Sequence, residues 1–193
     1  LRGCVPKKLL IYGSEFSRNV DDAIGYSWDI GEIKPNWYNL ITKKNKELDR
    51  LHEIYKNLII NSGCDLYHGY GKLISNNQVL VISQDEEKII SAKKIMIAVG
   101  GKSNFPEFNG NEFMINSDKA LDLKKLPKSI IIYGSGYIAV EFAGIFSGFG
   151  VETSLVFRSD YLLKGFDLDI RKKLTEQIEK SGVRIFPNNT IDY

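Results

Sequence analysis

Cysteine and histidine are scarce here, with two of each in 193 residues. Cys4 and Cys64 are too few for a secreted disulfide scaffold and fit a reducing compartment such as the cytoplasm. His52 reads as a helix-face residue and His68 as a strand residue, so no metal is expected. No apolar run approaches the roughly 20 residues that a membrane span needs. Arg2 and Lys7-Lys8 bracket no long apolar core, so no secretory leader is read. A surplus of one charge is also missing, since 26 basic and 24 acidic residues leave a net +2. Runs such as Lys43-Lys44-Asn45-Lys46-Glu47 interleave the signs, which reads as solvated helix faces and not as a nucleic-acid stripe. With 43% hydrophobic and 26% charged residues, the composition is that of a folded globular chain. The length allows one large domain or parts of two. The chain opens without Met, at Leu1-Arg2-Gly3-Cys4, and reads as a piece of a longer protein.

What is present is an α/β pattern. Val5 to about Ser17 predicts a helix, with Pro6 tolerated in its first turn. Residues 21–35 read as a loop punctuated by Gly25, Gly31 and Pro35. Trp37 to Ser62 predicts a long amphipathic helix, with Leu40, Leu48, Leu51, Tyr55, Leu58 and Ile59 at helical spacing. A small β region follows, with strands expected over 66–73, 78–82 and 88–92. Ile95-Met96-Ile97-Ala98-Val99 reads as a buried-type strand ending at Gly100-Gly101, where backbone could approach a ligand closely. A polar connector carries Pro106, Gly110 and Pro127, and the domain boundary is placed near Ser117. Asp167 to Ser181 predicts another helix, and Val183 to Phe186 a strand. This strand–helix alternation implies a parallel sheet.

The most informative stretch is Ile130-Ile131-Ile132-Tyr133-Gly134-Ser135-Gly136-Tyr137-Ile138-Ala139. A β-branched run enters a Gly-x-Gly-x-x-Ala turn and a helix-compatible run leaves it. Gly134 allows the tight turn, Gly136 lets a phosphate approach the backbone, and Ala139 lets helix and strand pack closely. The helix start then offers free N–H groups and a partial positive charge to a pyrophosphate. The next strand, Thr153 to Phe157, ends at Arg158, where an NAD site places an acid for the ribose 2′-hydroxyl. A guanidinium there pairs with a 2′-phosphate, and Lys164 could supply a second cation. The pattern therefore points to NADPH over NADH. The bland alternative is a tight turn followed by a surface arginine.

Gly3-Cys4-Val5-Pro6-Lys7-Lys8 places a cysteine at the start of a helix. A helix N-terminus stabilises an anion, and Lys7 and Lys8 add positive charge, so a thiolate at Cys4 is a candidate redox centre. Free cysteines are more often inert core residues, and the local pattern leaves both readings open.

Taken together, Gly3 to Lys8, Gly134 to Glu141, Ile97 to Gly101 and Arg158 to Asp167 resemble the FAD-dependent pyridine nucleotide–disulfide oxidoreductases. Within that family the likeness is to the glutathione reductases, and it runs almost the whole length. It implies a partial FAD-binding domain over residues 1–116, then the first part of a Rossmann-like NADPH-binding domain over 117–193. Cys4 would be the flavin-side cysteine of a redox pair, its partner lying five positions earlier and outside this chain. Lys7 would stand near the flavin N5 with Glu141 as its acidic partner. Tyr137 would cover the flavin and swing aside for nicotinamide. Gly3, Gly71 and Gly100 would belong to the flavin site, and Gly134, Gly136, Ile138, Ala139, Arg158 and Lys164 to the NADPH site. Tyr55 would lie at the glutathione-disulfide site. The implied activity is a relay from NADPH through FAD and the cysteine pair to glutathione disulfide, in a homodimer.

Some positions depart from the family pattern. Val99 replaces a usual threonine, and Lys164 a usual arginine, so one phosphate contact would be a point charge instead of a fork. Cys64 reads as structural. The 193-residue chain alone is expected to be inactive. Trypanothione or a thioredoxin-like acceptor remains an alternative, as does a non-catalytic NADP-binding module.

Overall fold

A computed structural model describes residues 2–84 and 86–191. The chain divides into two compact units, Leu1–Asp49 with Phe105–Tyr193, and Arg50–Asn104.

The first unit is built on two helices and a parallel sheet. Helix α1 spans Cys4–Gly25 and buries Pro6, Lys7, Leu10 and Ser14, a stripe at helical spacing. It therefore runs past the expected end at Ser17. Between Ser17 and Gly25 no proline or glycine interrupts the helix, and the exposed Asp21 and Asp22 need no buried partner. Helix α2, Trp37–Asn61, matches its expected bounds to one residue. Its first turns belong to this unit. Trp37 is buried, lies edge-on to Phe149 with ring centroids 5.2 Å apart, and donates from Nε1 to the Leu123 carbonyl at 2.6 Å. A short helix α3, Ser117–Leu121, is capped by the Asn116 side chain.

Strand β4 (Ser129–Tyr133), helix α4 (Tyr137–Gly148), strand β5 (Glu152–Val156), helix α5 (Leu168–Lys180) and strand β6 (Arg184–Phe186) follow in order. The three strands pair in parallel in the order β4-β5-β6. This is the expected βαβαβ order, because a helical crossover is what lets successive strands run the same way. Alternate residues Ile130 and Ile132 of β4 pack toward the core, while Ile131 is exposed. Phe142, Ala143, Ile145 and Phe146 bury one side of α4 against the sheet and α1. Burial of each such side chain contributes roughly 1.5–3 kcal/mol.

The approach of α1 to α4 is set by Gly148. A Cβ there would lie 2.7 Å from the Ser14 carbonyl oxygen and 2.8 Å from its Cβ, so only hydrogen fits.

A charge cluster ties three elements at the front of this unit. Lys44, in α2 and almost wholly buried, donates to the Leu121 carbonyl at 2.7 Å and to Asp122 Oδ1 at 3.0 Å. Arg2 reaches Asp122 Oδ2 at 2.5 Å. Burial pushes the Asp122 carboxyl up, but hydrogen bonds from Lys44 and Arg2, and their charges, outweigh it and hold it below the usual aspartate value. The native contacts therefore favour the ionised form. That contribution is complete above the unfolded value of about 3.9 and is lost as pH falls through the lower folded value. Melting temperatures in this acid window should fall more steeply for the unsubstituted protein than for Asp122→Asn; parallel curves would show that the cluster gives no such linkage.

The second unit holds the rest of α2 and an antiparallel meander of β1 (Tyr70–Ser75), β2 (Gln78–Ile82) and β3 (Glu87–Ser91). β2 has its expected bounds, β3 lies one residue earlier, and β1 starts four residues and ends two residues later than expected, with the turn at Asn76-Asn77. Here three expectations are corrected. Residues 95–99 form no strand, and Met96, Ile97 and Val99 are 67–90% exposed. A strand requires a partner for its backbone groups, and no described strand runs beside this stretch. The apolar stripe of α2 is also uncovered in its second half, where Tyr55, Leu58 and Ile59 are exposed. Cys64 is exposed as well, with Ser62 Oγ 3.4 Å from its sulfur, so no core packing holds it.

Candidate functional site

The site residues of the first unit gather where α1 meets α4. Lys7 is buried on α1, and its ammonium forms an ion pair with Glu141 of α4. Tyr137 is the first residue of α4, one turn before Glu141 and on the same face. The Lys7 ammonium lies 4.8 Å from the centre of the Tyr137 ring, within cation–π reach. Only 8% of the Lys7 side chain is exposed, against 33% for Glu141. A lysine this deep needs its charge matched, and Glu141 does so.

Cys4 is the first residue of α1 and stands one turn before Lys7, on the same helix face. Its thiol is free and exposed. Gly3 precedes it as the N-cap with no side-chain cap, so the first-turn N–H groups are not taken by a capping side chain. An exposed thiol, a buried cation one turn away and an exposed aromatic ring thus lie together. Such a set can hold an electron-rich ring beside a thiol, because the ammonium favours negative charge and the tyrosine ring can cover an apolar face.

The glycine turn forms the second half of the site. Gly134 has φ +140°, a conformation that side chains resist, and its N–H continues the ladder to the Val156 carbonyl at 2.9 Å. A Cβ on Gly134 would stand 3.6 Å from the Ala139 Cβ, so strand end and helix start pack closely. A Cβ on Gly136 would meet nothing within 4 Å. The space over the turn is open, and the free amides of α4's first turn, at Tyr137, Ile138 and Ala139, begin there. These residues fit a dinucleotide pyrophosphate.

Arg158 and Lys164 occupy the loop between β5 and α5, and both are exposed. Among the described residues neither pairs with a carboxylate. The loop reaches the glycine turn through Leu163, whose N–H donates to the Ser135 carbonyl at 2.7 Å. Two cations free of acids, on a loop bonded to the glycine turn, suit a phosphate group.

Tyr55, Gly71 and Gly100 belong to the second unit. Tyr55 is 46% exposed on α2. Gly71 lies within β1. Gly100 has φ +75° in the unpaired stretch after residue 95, with nothing within 4 Å of a Cβ position. Sequence reasoning missed the Arg2–Asp122–Lys44 cluster, whose members lie too far apart in sequence for any periodic signal.

The model of the pyridine nucleotide-disulphide oxidoreductase family matches residues 1–192. The chain belongs to this family. Among its curated relatives, a glutathione reductase of Nostoc sp. is 43% identical over 191 residues, which cover 99% of this chain and 41% of that protein. The chloroplastic/mitochondrial glutathione reductase of Pisum sativum is 46% identical over 168 residues, or 86% of this chain and 30% of that protein. A trypanothione reductase of Leishmania donovani is 35% identical over 197 aligned positions, covering 96% of this chain and 40% of that protein. The chain thus spans at most about two fifths of the length of these relatives. Among solved structures, the HOCl-induced flavoprotein disulfide reductase RclA from Escherichia coli superposes with a TM-score of 0.79 at 24% identity, over 99% of this chain and 40% of that one. That likeness concerns the fold of this oxidoreductase family, which the α/β architecture shares.

Proposed function

We propose that this chain is part of an NADPH-dependent flavoprotein disulfide reductase whose substrate is glutathione disulfide. The observation that carries this reading is the Lys7–Glu141 ion pair, with Tyr137 beside it, joining the cysteine helix to the helix of the glycine turn. Residues 1–116 would belong to the FAD-binding domain and 117–193 to the NADPH-binding domain.

In this reading FAD, when bound, supplies the two-electron chemistry between nicotinamide and disulfide. The residues of this chain place and charge the site. Cys4 is the thiol on the flavin side and takes part in thiol–disulfide exchange. Lys7 presents a fixed positive charge near the ring, and Glu141 keeps that buried charge matched. Tyr137, exposed beside Lys7, would cover the face of the ring and would have to move aside to admit nicotinamide. Gly3 of the first unit, and Gly71 and Gly100 of the second, would each leave room for FAD beside the backbone. Gly134, Gly136, Ile138 and Ala139 hold the NADPH pyrophosphate, and Arg158 with Lys164 holds the 2′-phosphate. Tyr55 faces the glutathione disulfide. The full-length protein works as a homodimer, and free cysteines fit a cytoplasmic location. No described helix is long and apolar enough to cross a membrane.

The test uses the full-length protein. It should oxidise NADPH with glutathione disulfide and turn over trypanothione disulfide far more slowly. Arg158→Leu should raise the KM for NADPH by about tenfold or more, as expected for losing a guanidinium–phosphate contact, and leave the KM for NADH near its starting value. Faster turnover of trypanothione disulfide would overturn the substrate assignment. Equal effects on both coenzymes would overturn the 2′-phosphate assignment.

A further inference from the structure

Between β5 and α5 the chain makes a loop, residues 158–166, whose middle is held from both sides. On one side is α5. Arg171 donates from Nε to the Leu162 carbonyl at 2.9 Å and from Nη2 to the Tyr161 carbonyl at 3.1 Å. Thr175 Oγ1 accepts from the Leu162 N–H at 3.2 Å and donates to the Arg171 carbonyl at 2.8 Å. On the other side is the glycine turn, through the 2.7 Å bond from Leu163 N–H to the Ser135 carbonyl. Leu162 is fully buried between these anchors. Leu163 adopts φ +52°, an uncommon conformation for leucine that surrounding contacts must hold. Ser159 closes the near end by donating to the Tyr161 carbonyl at 2.8 Å.

Arg158 and Lys164 stand at the two ends of this fastened segment. Arg158 is held at the strand end, where Phe157 bonds to Phe186 and Asn189, while Lys164 directly follows the pinned Leu163, so the anchors at 161–163 set where Lys164 stands relative to Arg158. Arg171 holds two of those three residues. It is half-buried, and among the described residues its guanidinium meets backbone carbonyls and no carboxylate. A guanidinium fork matches two adjacent carbonyls in a way that a lysine cannot.

We propose that Arg171 is a positioning residue for coenzyme discrimination. By holding the Tyr161 and Leu162 carbonyls, it sets Arg158 and Lys164 at the spacing that a 2′-phosphate requires. The inference rests on the reading of Arg158 and Lys164 as phosphate ligands. A loop ordered before binding loses less entropy when the ligand arrives. Freeing it should therefore weaken ligands that use both cations and spare ligands that use neither.

The experiment measures calorimetric binding of 2′,5′-ADP and 5′-AMP to the full-length protein, with coenzyme kinetics alongside. Arg171→Met keeps the apolar stem and removes both bonds. It should weaken 2′,5′-ADP by about tenfold, the scale of a lost charge-assisted contact, and 5′-AMP by less than about twofold. The KM for NADPH should rise with little change in kcat or in the KM for NADH. Thr175→Val, which removes one loop anchor and no charge, should shift 2′,5′-ADP in the same direction by less. It also serves if Arg171→Met does not fold. Arg171→Lys should recover little of the lost affinity. Full recovery with lysine, or equal loss of both ligands in either variant, would overturn the proposal. If Arg158→Leu abolishes the preference for 2′,5′-ADP and Arg171→Met keeps it, this inference fails alone. If the unsubstituted protein binds both ligands alike, the phosphate reading fails and takes the inference with it.

Discussion

Cys4→Ser in the full-length protein is expected to abolish reduction of glutathione disulfide while NADPH still binds. Serine is close in size to cysteine, and the residue is exposed at the first position of α1, so stability should stay within about 0.5 kcal/mol. The chemistry changes far more. A hydroxyl cannot form or resolve a disulfide, so turnover should fall by about four orders of magnitude or more, the scale seen when a nucleophile is removed. A spectroscopic sign should accompany the loss. Anaerobic reduction of the unsubstituted protein with NADPH should produce a long-wavelength band from thiolate against flavin, and the serine variant should lack it. An unchanged band would remove Cys4 from the redox centre, whatever the kinetics.

The second large effect is on stability. Glu141→Leu strands the buried Lys7 ammonium without its partner. Breaking a buried pair from one side costs about 3–5 kcal/mol. A third of the Glu141 side chain is exposed, so water can enter and the lower part of that range is expected. The double variant Lys7→Met/Glu141→Leu should recover most of the loss, since an apolar pair of similar volume removes the uncompensated charge. Urea unfolding of the unsubstituted, two single and double variants closes the cycle. A Glu141→Leu protein as stable as the unsubstituted one would show that the ammonium finds water or another acceptor.

Local signals were legible wherever the chemistry is local. The Gly134–Ala139 turn, the strands on either side of α4 and the start of α5 at the Asp167 cap all follow from residues within one turn of each other. Lys7 and Glu141 lie far apart in sequence, and their pairing came from resemblance, not from spacing. The Arg171 clamp gave no signal, because its acceptors are backbone carbonyls, which every residue carries. The Asp122 cluster was hidden for a related reason: its cations sit near the chain start and in α2, far from the acid. The failed strand at 95–99 shows the opposite limit. Its composition is right for a buried strand, but a strand is a property of a pair, and one sequence run cannot announce its partner.

That unpaired stretch also bears on how these residues would associate in solution. Ile95 to Val99 carries no charge between Lys94 and Lys102, and most of its side chains face water. Five successive apolar residues suit intermolecular β-pairing, and the flanking Lys94 and Lys102 are the charges that oppose it. At high concentration, two copies of these 193 residues could pair there, each stretch giving the other the strand partner that neither has alone.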